Sequence, residues 1–337
     1  MRVTNGMMVK KYTKNLNNAL NTLTELQNKV NSGRNFDKFS QDPINAMRSY
    51  NLQRDYSNLS DYQKNISDAS SMLSTAESSV MEIHSVLQEA MGSDCLQAVN
   101  GTQGYEERVI IANKLRRVQK GILQTLNTRH SDTYVFGATD TSKAPFSVGA
   151  NGDLMYRGVN VNTGETADGK AIDLKALANE KAYTDVGLGL RFNADGSVVD
   201  QSALDISVNG LSFMGYGADD DGLPNNVYTI ISQIADELSS ENYSYSKVSP
   251  LIEKLDKQNN SIVLNQITKI GVQTGYISKM DDRFSTNEYN LTLKLEDVEM
   301  CDKVEAITDM TMQNYAYRAT LQMGSNILQA SLLDYLR

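Results

Sequence analysis

Apolar residues recur every seven positions over much of this chain, a spacing that predicts long helices packed through narrow seams. From Pro43 to about Met91 no glycine or proline interrupts the chain, and Leu52, Leu59, Ile66, Leu73, Val80 and Leu87 form one such series. Three positions further on stand Asp55, Tyr62, Ala69, Ala76, Ile83 and Ala90. After one polar exception the second seam position is therefore Tyr, Ile or a small Ala, and close helix packing is expected. At 1.5 Å per residue this helix runs on the order of 70 Å, well beyond an ordinary globular helix.

Beyond a break containing Gly92 and Gly104, the residues Ile111, Leu115, Val118, Ile122 and Leu126 predict a shorter helix that folds back antiparallel. The seven-residue interval resumes after Pro250 with Ile270, Ile277, Phe284 and Leu291. These elements predict a three- or four-helix rod. A separate pair of series occupies the chain ends: Val9, Leu16, Leu23 and Val30, then Met300, Ile307, Leu321 and Leu328, with Asn314 breaking the second. They predict two terminal helices that zip together. Residues 1–35 hold six Lys/Arg against one acid, and residues 296–337 hold seven acids against three bases. Surface ion pairs contribute little, so this asymmetry orients the pair without holding it. A two-helix unit of this size is marginal alone, and the termini are expected to order only in an assembly.

The prolines Pro43, Pro145, Pro224 and Pro250 punctuate the chain, because proline is excluded from helix interiors. Asp42-Pro43 and Ser249-Pro250 both fit an N-cap followed by proline at the first helical position. Residues 146–224 differ in kind: they hold 12 of the 22 glycines and short β-like runs such as Val159-Asn160-Val161 and Leu204-Asp205-Ile206-Ser207-Val208. The fold expected is mainly α with an inserted β-rich domain. Its parts are a terminal helical pair (1–42 with 298–337), a helical rod (43–145 with 225–297) and the insert (146–224), which is expected to project sideways.

A formal net charge of -9 argues against nucleic-acid binding, which needs a basic face. No run approaches the roughly 18 to 20 apolar residues of a membrane span, and the opening MRVTNGMMVKKYTKN lacks the apolar stretch of a cleavable signal. A soluble protein, exported if at all by another route, is expected. Cys95 and Cys301 match neither a zinc spacing nor a redox pair. His84 and His130 have no ligand-spaced neighbours and read as packing or solvated residues. Gly187-Leu-Gly-Leu-Arg-Phe lacks the third glycine of a dinucleotide loop, and Asp219, Asp220, Asp221 and Gly222 lack the rest of a calcium loop. No catalytic, cofactor or metal residue is predicted, and the chain reads as a non-enzymatic building block.

Several segments together resemble the flagellin superfamily, and within it the hook-filament junction branch. They are Met1-Arg-Val-Thr-Asn-Gly-Met-Met, Ser32-Gly-Arg-Asn-Phe-Asp-Lys-Phe-Ser-Gln-Asp-Pro43, Tyr134-Val-Phe-Gly-Ala-Thr, Leu295-Glu-Asp-Val-Glu-Met and Ile327-Leu-Gln-Ala-Ser-Leu-Leu-Asp-Tyr-Leu336. One departure is Ala138, where many relatives carry a second glycine. The resemblance implies an elongated flagellin-like rod with paired terminal coiled-coil helices, exported unfolded through the flagellar type III channel after binding a cytoplasmic chaperone. It implies a ring between hook-associated protein 1 and the flagellin filament, adapting a flexible hook to a stiff filament. The alternatives are a flagellin filament subunit and a secreted coiled-coil adhesin or translocator.

Overall fold

The computed structural model describes residues 5–95 and 104–335, with side-chain surroundings described from residue 6 to residue 324 except at Asp94. In chain order come α1 (Asn5–Ser32), α2 (Pro43–Glu89), a π-helical turn (Ala90–Cys95) and α3 (Tyr105–Leu126). Seven short strands follow, β1 (Arg129–His130), β2 (Thr133–Tyr134), β3 (Phe146–Val148), β4 (Leu154–Tyr156), β5 (Val159–Asn160), β6 (Tyr183–Thr184) and β7 (Leu204–Asp205). Short helices α4 (Leu174–Ala178) and α5 (Gly210–Met214) lie among them, and α6 (Val227–Leu238), α7 (Tyr245–Lys257), a second π-helical segment (Gln258–Val263), α8 (Leu264–Glu299) and α9 (Lys303–Tyr335) complete the chain. It divides into two compact units: a terminal unit, Met1–Ser60 with Ser285–Arg337, and a central unit, Asp61–Phe284.

In the central unit α2 buries Ile66, Ala69, Leu73, Ala76, Val80, Ile83 and Leu87, and the π-helical turn after it buries Ala90, so both seam positions face inward. From α8 the buried residues are Ile270, Ile277, Met280 and Phe284, and Tyr62 of α2 meets Phe284 with ring centroids 6.4 Å apart. The helix α3 buries Ile111, Ala112, Leu115, Ile122 and Leu126, but Val118 is only half buried and Gln119 takes the seam position beside it. Gln119 is tolerated there because its Nε2 donates to the Tyr228 carbonyl at 3.1 Å. That contact comes from α6, the principal helical neighbour of α3 and an element the seven-residue series did not reveal.

Pro250 does not start a helix. It is the sixth residue of α7, whose N-cap is Ser244. Proline there removes one N–H, leaving the Ser246 carbonyl without its i→i+4 partner. Pro250 and Ser246 are both exposed, so water can serve that carbonyl. From α7 the chain continues through the π-helical segment into α8 without a break. Asp42-Pro43 behaves as the capping rules require: Asp42 Oδ1 accepts the Asn45 N–H at 3.0 Å. That backbone hydrogen bond, reinforced by the Asn45 side chain, holds the Asp42 carboxyl below its ordinary range.

The strands of residues 146–224 are antiparallel and only two or three residues long, with β3-β4-β5 a meander in which Phe146 pairs with Tyr156. Glycines at positive φ turn the chain between them, among them Gly152, Gly158, Gly164 and Gly196. Aromatic contacts fill the core, Phe136 against Phe213 at 5.3 Å and Phe146 against Tyr156 at 5.0 Å. The segment is tied to its own unit's helices: Asn127 at the end of α3 brackets Phe146 with two backbone hydrogen bonds. Asn65 donates to the Asp185 carbonyl, and Gln273 to that of Asp205. A Cβ on Gly187 would strike the Tyr62 ring, so glycine is needed for that approach.

Candidate assembly interface

Two chain segments close the terminal unit. Gly33 follows α1 at φ +70, a left-handed conformation that glycine adopts without strain, and its N–H returns to the Lys29 carbonyl at 2.9 Å. Its own carbonyl accepts the Cys301 N–H at 3.0 Å, while the Asn35 N–H donates to the Glu299 carbonyl at 2.7 Å. Asn35 Nδ2 adds a bond to the Met300 carbonyl at 2.8 Å. The Ser-Gly-Arg-Asn turn thus pairs as an antiparallel bridge with the link between α8 and α9. Glu299 accepts from Ser49 and Gln53 of α2 and lies 4.0 Å from Arg34. Further along, the Tyr56 hydroxyl donates to Glu288 at 3.0 Å, which raises the Tyr56 pKa.

The helices α1 and α9 run antiparallel, with Tyr12 against Gly324, Gln313 Nε2 donating to the Ala19 carbonyl, and Cys301 beside the Lys29 carbonyl. On α1 the covered residues are Leu23, buried, and Val9, Leu16 and Val30, half buried. On α9 the seam is displaced from the expected one. Its covered positions are Ala306, Met310, Gln313, Asn314, Tyr317, Thr320 and Gly324. Ile307 and Leu321 lie outside it at 47% and 44% exposed, and Met300 precedes the helix at 51%. The physical reason is close approach: any Cβ at position 324 would collide with the Tyr12 ring, so the small residue sets which face turns inward. The side chain of Leu328 lies outside the described residues.

The opposite charges of the two ends meet where Arg34 lies beside Glu299, but are not matched along the two helices. Lys10, Lys11 and Lys14 lie abreast of Gly324, in a stretch of α9 with no acid between Asp309 and Asp334. The α9 acids Asp302, Glu305 and Asp309 cluster at the other end, where the Asp302 carboxylate caps the helix by accepting from the Val304 and Glu305 N–H groups.

Most of the large apolar side chains left exposed belong to this unit, on its helices and the turn after α1. On α9, Val304, Ile307, Met312 and Tyr315 are exposed on the side away from the seam. A helix apolar all round is a helix made to be buried. On α2, Ile44, Met47 and Tyr50 are exposed, and Tyr50 lines a cavity together with Phe39, Ala46 and Ser49. Two shallow cavities of about 240 and 230 Å³ flank Phe36 in the intervening turn.

The remaining candidates have local roles. His84 Nδ1 is 2.8 Å from Asn259 Oδ1, and His130 Nδ1 is 3.1 Å from Thr75 Oγ1, both contacts inside the central unit. Lys254 pairs with Asp219, and its hydrogen bond holds that carboxyl below its usual range. Asp219 also closes its own turn by accepting from the Asp221 and Leu223 N–H groups, so an ammonium takes the place a cation would fill. Neither Cys95 nor Cys301 forms a disulfide. Ala138 has φ +54, a left-handed conformation that glycine adopts more readily than alanine. Among the described residues no group of His, Cys, Asp or Glu could hold a metal ion, and no helix is long and apolar enough to cross a membrane.

This construction has counterparts. Residues 3–139 match the family of the bacterial flagellin N-terminal helical region. A Vibrio parahaemolyticus protein assigned as a flagellar hook-associated protein has a similar structure at TM-score 0.58 and 19% identity, covering 77% of this chain and 100% of its own. Bacillus cereus FlgL gives TM-score 0.49 at 18% identity, covering 73% and 99%. Flagellar hook associated protein-3 from Legionella pneumophila gives 0.36 at 14%, covering 82% and 98%. The fold comparison rests on the Vibrio structure. No curated protein sequence matches the chain. With that match over residues 3–139 and the Vibrio likeness, the chain has a flagellin-like helical fold with long helices at both ends.

Proposed function

We propose that this protein is a structural, non-enzymatic subunit of the bacterial flagellum that forms the junction between hook and filament. The observation that carries the proposal is the paired terminal helices, whose outer faces remain apolar and uncovered in the single chain. Such faces on an α1–α9 pair suit a subunit completed by its neighbours. In this reading 1–42 with 298–337 is the assembly domain, 43–145 with 225–297 the rod, and 146–224 the exposed insert. Hook-associated protein 1 lies on the hook side, flagellin on the filament side, and other copies complete a ring. A cytoplasmic chaperone delivers the chain to the flagellar type III export channel. The description of the Vibrio counterpart as a flagellar hook-associated protein supports a flagellar role.

A second reading, a filament subunit, draws on the same family match at residues 3–139. Deletion of the gene, with electron microscopy of the cells and analysis of the medium, separates the two. The junction role predicts hooks without filaments and unpolymerised flagellin in the medium. Loss of the major filament protein itself would favour the second reading, and normal filaments would overturn both.

A further inference from the structure

We infer that the π-helical segment between α7 and α8 is a binding site for one buried water molecule, held by the side-chain amides of Gln258 and Asn259. The segment, Gln258–Val263, runs into the Leu264 N–H, which donates to the Asn259 carbonyl five residues back. A turn of this kind carries one residue more than an α turn and widens the helix locally, an arrangement found mostly at sites with a task beyond packing. Here the widened turn holds two consecutive polar side chains in the interior. Asn259 has no exposed surface and Gln258 is 8% exposed, so both are more than nine-tenths buried. The segment packs against α5, whose Leu211, Phe213 and Met214 are buried as well.

Each of the two amides keeps one buried atom that the protein does not serve. Asn259 Oδ1 lies 2.8 Å from His84 Nδ1 of α2, but among the described residues Asn259 Nδ2 and Gln258 Oε1 meet no hydrogen-bond partner. Turning the Asn259 amide over does not help, because Nδ2 would then face His84 and Oδ1 would be stranded in its place. A buried amide atom without a partner costs its full desolvation. One stranded atom is a donor and the other an acceptor, and this pair of needs selects the ligand. The Asn259 N–H groups repel a cation and the Gln258 carbonyl oxygen repels an anion. Water is neutral, donates and accepts, and serves either orientation of Asn259 while it donates to Gln258 Oε1. Bound there, it satisfies the buried amides and fixes the π register at the joint between α7 and α8.

The test begins with the full-length wild type and needs no variant to fold. A crystal structure at a resolution that shows ordered solvent should place a water within hydrogen-bond distance of both amides, and in solution the Asn259 side-chain N–H protons should show a nuclear Overhauser contact with a long-lived water. A dry site, or the two amides bonded directly to each other, would overturn the proposal. Unfolding in denaturant then asks whether the two residues share the ligand. Gln258→Met alone strands the Asn259 amide and should lower the folding constant about tenfold. Gln258→Met together with Asn259→Leu leaves neither amide to satisfy, so its loss should be smaller than the sum of the two single losses. Losses that add would mean that no water bridges the pair.

Discussion

In the central unit Leu73, Ala76, Val80 and Leu87 of α2 have no exposed surface, and α3 and α6 bury their apolar faces against one another. In the terminal unit α1 fully buries Leu23 and α9 only Ala306 and Gly324 among the described residues, while large apolar side chains stand outside on both helices. Both regions are built from seven-residue spacing. What separates them is how many sides of each helix find a partner within one chain. A helix enclosed on its apolar face is complete, whereas a helix apolar on two faces with one neighbour is half of an interface.

The widest gap between the two regions should appear on truncation of a single apolar side chain. Leu115→Ala in the central core should cost about 3 kcal/mol in denaturant unfolding, within the range for a buried leucine. Ile307→Ala should stay within about 0.5 kcal/mol, as for an exposed position. Comparable losses at both sites would erase the contrast.

A smaller and more local effect is expected from Gly324→Val, which sets a branched side chain into the Tyr12 ring. Overpacking of this kind costs about 1 to 3 kcal/mol, and it should open the α1–α9 pair alone. Hydrogen exchange would then speed up along α1 with α3 unchanged; equal loss of protection in α3 would show one cooperative body.

Titration should reach the two regions from opposite ends of the pH scale. Burial raises the pKa of the Tyr156 phenol well above its ordinary value, and its hydroxyl donates to the Phe136 carbonyl. Above pH of about 10 the unfolded chain loses that proton while the folded one keeps it, so the central unit should lose stability as pH rises. Asp42 has the opposite sign. Its lowered pKa contributes stability above the ordinary carboxylate range that disappears as pH falls through the folded value, loosening the start of α2. Unfolding followed separately by near-ultraviolet dichroism and by exchange at the first turn of α2 should show these two limits.

The smallest expected effect has the reverse direction. Ala138→Gly should stabilise the central unit by about 0.5 to 1 kcal/mol, because φ +54 strains alanine and not glycine. A destabilised variant would mean that the Ala138 methyl, buried in this turn, contributes more packing than the backbone loses in strain.

Much of this was legible in the amino-acid sequence. One face of α2 from Leu59 to Ala90 is apolar and the other polar, so a single register satisfies the pattern and the buried residues could be named in advance. Asp42-Pro43 marked the start of α2 because capping is local chemistry. The helix α6 was missed because its 12 residues are too few for a seven-residue interval such as Val227 to Ile234 to repeat into a series, and Pro250 misled because an exposed carbonyl tolerates the bond that proline removes.

For α9 the sequence determined that a helix forms and that its surface is apolar, but not which side faces α1. Met300, Ile307 and Leu321 keep a seven-residue interval, and so do Ala306, Gln313 and Thr320 one residue earlier. Hydrophobicity favours the first series. The tertiary structure chose the second, because two backbones lying close need small residues between them and Gly324 is where the Tyr12 ring fits. The larger apolar residues Ile307 and Leu321 were turned outward.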